Sequence, residues 1–103
     1  MILIHVLTNS MKKAIEISDF LTKERLILNA VIAKDVIIRK NEKGKIVSED
    51  RVLIMGKTKS LLFNKIDEQL HEHFDEMPVL YSVPITHMDW EQAEYLVKET
   101  QRA

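Results

Sequence analysis

Three features of this sequence predict an α+β domain built on an antiparallel sheet. Two apolar runs rich in β-formers, residues 26–33 and 51–56, flank the polar stretch Asn41-Glu42-Lys43-Gly44-Lys45. That pattern reads as a long β-hairpin with a wet tip and a buried base. Segments on either side of it carry apolar residues at helical spacing. Short apolar runs at residues 2–7 and 79–83 supply two further strands.

Taken in order, residues 2–7 form the first strand, stopped by Thr8-Asn9-Ser10. Asn9 or Ser10 is placed to cap the first helix. Met11, Ala14, Ile15, Ser18 and Leu21 give that helix its apolar side, with Lys12, Lys13, Glu16, Asp19 and Lys23 opposite, as far as about Arg25. The hairpin follows. Thr58 and Ser60 offer hydroxyl caps to a second helix with Leu62, Ile66 and Leu70 inside, and Pro78 forbids its continuation. Pro84 near the end of the fourth strand suits a sheet edge. Asp89 and Gln92 have the spacing of a capping box for a short third helix, with Trp90, Ala93, Leu96 and Val97 on one face.

The order β-α-β-β-α-β with an added helix is the ferredoxin-like plan, a four-stranded antiparallel sheet with both main helices on one face. The other face is then uncovered. Leu28, Ala30 and Ile32 alternate with Ile27, Val31 and Ala33, so both sides of the second strand are apolar. Subunit association is the expected cover, because one short terminal helix is too small for a sheet this wide.

The totals set limits. At 103 residues the chain makes one domain, residues 1–103, and folding removes only roughly two-thirds of its unfolded surface from water. Hydrophobic residues are 46% and charged residues 30%, which argues against disorder. Fifteen basic residues against sixteen acidic ones offer nucleic acid no broad positive face. The apolar start is too short for a membrane span and lacks a basic leader, so a cytoplasmic protein is expected. The absence of cysteine removes disulfides, thiolate nucleophiles and thiolate metal sites.

Five motifs in register carry a resemblance: Glu24-Arg25-Leu26, Gly44-Lys45-Ile46, Lys57-Thr58, the stretch from His73 to Pro78, and Val83-Pro84-Ile85. In order and spacing the chain resembles the CutA divalent-cation tolerance proteins over nearly its whole length. Asn29 stands where that family usually has a cysteine. The resemblance implies a ferredoxin-like homotrimer packed around a threefold axis, related in architecture to PII-type signalling proteins. It also implies subunit clefts where Arg25, Asn29, Lys57, His73 and Glu76 converge on a small ligand.

His71 and His73, with Glu76 nearby, are the side chains with chemistry for Cu²⁺ or Zn²⁺. Residues two apart on a helix diverge by about 200°, so the pair shares a metal only if the helix has already unwound. His5 reads as a half-buried, hydrogen-bonded strand residue, and His87 as a solvated loop residue. The sequence lacks a Gly-x-Ser-x-Gly elbow, a glycine-rich phosphate loop, a Cys-x-x-Cys chaperone motif and aromatics on the central strand for base stacking. A binding or signalling module is expected rather than an enzyme. Its ligand is a divalent cation or, in the PII-like alternative, a small anionic metabolite or nucleotide; a structural, partner-binding trimer is the third reading.

Overall fold

The structure, a computed structural model, describes residues 1–76 and 78–103. Met77, inside the motif from His73 to Pro78, lies outside the described residues. The elements run β1 (Ile2–Thr8), α1 (Met11–Lys23), β2 (Ala30–Glu42), β3 (Lys45–Thr58), a short 3₁₀ turn (Ser60–Leu62), α2 (Phe63–His73), β4 (Val79–Pro84) and α3 (Trp90–Glu99). The strands form one antiparallel sheet in the order β2-β3-β1-β4, so the ferredoxin-like plan holds and β4 lies at an edge. Among the described residues no helix is long and apolar enough to cross a membrane.

Alternation along β1 and β3 separates the faces. Ile2, Ile4 and Val6 of β1 and Val52 and Ile54 of β3 are buried against Ala14, Ile17 and Leu21 of α1 and Ile66 and Leu70 of α2. Ser10 caps α1, its hydroxyl accepting from the Lys13 N–H at 3.2 Å. The inner stripe of α1 is centred on Ile17, and Ile15, expected inside, is 47% exposed on its flank.

The hairpin begins later than expected. Residues 26–29 are not strand: Leu26 and Ile27 fold under the sheet and are fully buried. The reason lies at the end of α1, where Arg25 takes a left-handed φ of 59°. The Leu26 N–H then reaches Leu21 O at 2.9 Å and the Arg25 N–H reaches Thr22 O at 3.1 Å, a Schellman closure with Leu26 and Leu21 both in the core. Ile27 therefore does not share a face with Val31 and Ala33. Ala30 and Ile32 pack against the core, and Val31 stands on the far side, 54% exposed.

Thr58 does not cap the second helix either. Its buried hydroxyl donates to Leu26 O at 2.6 Å, and neither the 3₁₀ turn nor α2 has a side-chain cap. At the hairpin tip, Lys43 and Gly44 both have positive φ in a two-residue loop closed by the Glu42–Lys45 pair.

The uncovered face is present as expected. Its rows run Val31, Met55, His5, Tyr81 and, beside it, Ala33, Leu53, Leu7, Val79, with Lys57, Leu3 and Val83 at one end. Val79, Tyr81 and Val83 are exposed. α3 does not cover these residues. Asp89 caps it through Gln92, as its spacing predicts, but of its expected apolar face only Leu96 is buried. Trp90 is 71% exposed and, with Met1, Ala93 and Val97, lines a second apolar groove.

Candidate functional site

A cleft of 310 Å³ opens where β1 runs out, with Leu7 and Val79 on its floor and Asn9, Lys13, Arg51 and Glu76 around it. Each polar residue arrives on a different element. β1 ends at Thr8 and delivers Asn9, and the first turn of α1 delivers Lys13. The pairing of Thr8 with Val52 sets Arg51 of β3 alongside, and the segment after α2 brings Glu76.

The cleft is mixed in character, and its polar groups are partly self-satisfied. Asn9 Nδ2 donates to Glu76 Oε1 at 3.3 Å, and the Lys13 ammonium stands 5.5 Å over the Phe74 ring. Arg51 donates to Asp50 O at 2.8 Å and pairs with Glu49, which also binds Lys40 at 2.6 Å. The hydrogen bond from Lys40 holds the Glu49 carboxyl below its ordinary value, and the same bond raises the Lys40 ammonium. With no acid in the first turn of α1, its N-terminus and Lys13 bring positive charge to the cleft beside Glu76, while Arg51 is already paired with Glu49. Such a site is suited to a small polar or anionic ligand.

Of the residues expected to form a ligand pocket, only Glu76 lines this cleft. Arg25 donates through Nε to Glu99 O at 2.9 Å and through a terminal nitrogen to Lys98 O at 3.0 Å. It thereby closes the C-terminus of α3, pairing with carbonyls rather than with a carboxylate. Lys57 donates to Gln92 Oε1 at 2.7 Å. Exposed Asn29 follows Leu28, whose N–H donates to Lys57 O at 2.9 Å, so these two residues are neighbours. Lys57 stands beside Leu3, whereas Glu76 reaches Asn9 six residues further along the strand, about 20 Å away. Within one chain the five therefore split into two groups.

The three residues expected to hold a metal are not brought together. α2 remains helical through His73, so the two histidines leave it in different directions. His71 Nδ1 lies 2.8 Å from Asp67 O and 3.5 Å from Asp67 Oδ1, back along the helix. The His73 ring packs at a tilt against Phe20, with the ring centroids 4.6 Å apart, and Glu76 is held by Asn9. Among the described residues no three histidine, aspartate or glutamate side chains are grouped to hold an ion.

Lys13 and Arg51 were not foreseeable as site residues. In the sequence Lys13 reads as a charge on the outer side of a helix and Arg51 as the start of the second apolar run, and only the β1–β3 register and the packing of α1 place them at one cleft.

No protein-family model matches the sequence, and comparison with curated proteins finds no match. Solved structures do resemble it. The divalent cation tolerance protein Cut A1 of Thermus thermophilus superposes with a TM-score of 0.85 at 23% identity, covering 98% of this chain and 100% of that one. CutA1 of Oryza sativa gives 0.86 at 18% identity, covering 99% and 94%. CutA1 of Pyrococcus horikoshii gives 0.84 at 22% identity, covering 99% and 100%. The chain has the fold of the CutA1 divalent cation tolerance proteins from end to end.

Proposed function

We propose that this chain is a divergent CutA-like protein, a non-enzymatic homotrimer serving as a binding or signalling module in the response to divalent metal ions. The observation that carries the reading is the bare sheet face. Val31, Val79, Tyr81 and Val83 are exposed there beside Leu3, Leu7, Leu53 and Met55. A monomer seldom leaves so continuous an apolar surface in water. Further copies of the same chain are the proposed occupants, and the motif resemblance makes the number three. The Met1–Trp90–Val97 groove adds a second apolar patch on the same small domain.

Metal binding in this reading is weak and histidine-dependent, because the chain has no cysteine and, among the described residues, no preformed group of ligands. Calorimetric titration with Cu²⁺ and Zn²⁺ should give a small heat that disappears in the double variant His71→Gln, His73→Gln. Micromolar binding that survives both changes places the metal elsewhere. A second reading, a sensor of a small anionic metabolite or nucleotide, is favoured by the cations Lys13 and Arg51 that line the cleft beside the N-terminus of α1. Titration with nucleotides separates the two readings: heat that is lost in Arg51→Ala supports the anion.

A further inference from the structure

Between charged residues at its ends, the bare face is apolar except at its centre. His5 stands there between Met55 of β3 and Tyr81 of β4, with Leu3 and Leu7 before and after it on β1. Its Nδ1 lies 3.1 Å from the Tyr81 hydroxyl, and the two rings are 5.0 Å apart. A neutral imidazole fits this setting well. It can accept the phenol hydrogen at Nδ1 and keep its proton on Nε2. Protonated, it becomes a cation with two donors and no acceptor, and the phenol must turn to receive it.

The groups around it offer that cation no counter-charge. On β3 the charged residues of this face are Lys57, whose ammonium is held by Gln92, Arg51, and Glu49, which pairs with Arg51 on the hairpin arm past the end of β1. β4 contributes Tyr81 between Val79 and Val83, and β2 contributes Val31 and Ala33. α1 and α2 pack on the opposite face, and α3 reaches this one at Gln92. Among the described residues, no carboxylate stands in the three rows that cross His5 and its neighbours. Copies packed through this face bring the same side chains, so the seam they form has cations at its margin and no acid at its centre.

We propose that His5 makes self-association depend on pH: the seam accepts the neutral imidazole and rejects the imidazolium, so acidification loosens the assembly. The inference rests on association through this face, as proposed above. Burying an unpaired charge in an apolar seam is unfavourable, and histidine is the side chain that changes charge in the mildly acidic range. A copy that must release a proton to assemble associates more weakly as pH falls.

Sedimentation equilibrium at about pH 8 and about pH 5.5 tests it with three proteins: the unmodified chain, His5→Gln, and the triple variant His71→Gln, His73→Gln, His87→Gln, which keeps His5. The unmodified chain and the triple variant should associate tightly at the higher pH and at least tenfold more weakly at the lower. His5→Gln should associate equally at both. A shift that persists in His5→Gln, or is lost in the triple variant, overturns the assignment. Association that is strong and equal at both pH values overturns the pH link alone. A monomer at the higher pH overturns the association reading, and this inference with it. Should His5→Gln fail to fold, the ring nitrogen NMR shifts of His5 in the unmodified assembly decide instead. A neutral ring in the assembled fraction at the lower pH supports the proposal, and a protonated one refutes it.

Discussion

Gly56 shows how one position can be fixed by a residue far away in sequence. It sits in β3 facing the helices, with Ile27 laid across it. A Cβ built there would meet Ile27 Cδ1 at 2.9 Å, Cγ2 at 3.1 Å and Cβ at 3.2 Å. Gly56→Ala should therefore destabilise the fold by about 1–3 kcal/mol, since overpacking displaces a well-seated side chain. Ile27→Val, which removes Cδ1, should cost less in that background than in the unmodified chain. Urea denaturation of the two single variants and the double variant measures this coupling, and strict additivity would contradict the contact. None of this is visible in the sequence, where Gly56 reads as the end of a strand and Ile27 as part of another. Arg25 is a similar case. Its left-handed backbone and its bonds to Lys98 and Glu99 make it a joint between two helix ends, whereas the sequence shows only a conspicuous cation.

Among the elements, the β2–β3 hairpin is the least supported. β1 pairs with β3 only as far as the Thr8–Val52 pair, so the arm from Val36 to Arg51 continues as a two-stranded ribbon. A bulge between Ala33 and Val36, with Asp35 at a φ of 60°, marks where it leaves the sheet. Polar contacts hold it together: Lys40 with Glu49, Glu49 with Arg51, and Arg39 donating to Ser48 at 3.1 Å. The Glu49 carboxyl is held low by Lys40, so its contribution is full above the ordinary carboxylate range and is lost as pH falls through its lowered value. The raised Lys40 ammonium contributes below its ordinary value and loses its effect only in strong alkali. Acid, not mild base, should therefore loosen the arm. Cross-strand NOEs between residues 36–42 and 45–51 should weaken on acidification while those between β1 and β3 persist. Glu49→Gln should show the weakened pattern at neutral pH, and an arm unaffected by either change would contradict the reading.

The elements themselves were legible for physical reasons. Alternation in β1 and β3, the 3.6-residue stripe of α2 and the capping box of α3 are local signals. The start of β2 was not legible, because an apolar run does not say whether it pairs with a strand or plugs a core. The five-residue ligand set was not assembled within the chain, because β1 is long enough to hold its two halves apart.

At the scale of the molecule, a 103-residue domain has covered one face of its sheet with two helices and left the other bare. The register decides which substitution probes that face. Val31→Asp places a carboxylate on it and should abolish association while the isolated fold persists or aggregates. Ile32→Asp instead strikes the helix side and should unfold the chain, since an unpaired carboxylate there costs several kcal/mol, on the order of 3–5. If the several aliphatic side chains of the bare face leave water in the assembly, each contributes about 1.5–3 kcal/mol when fully buried, enough to make association obligate. Sedimentation equilibrium on the unmodified protein at neutral pH and micromolar concentration is the direct measurement. The account predicts a single species with the mass of three 12.0 kDa chains, and a stable, folded monomer under those conditions would contradict it.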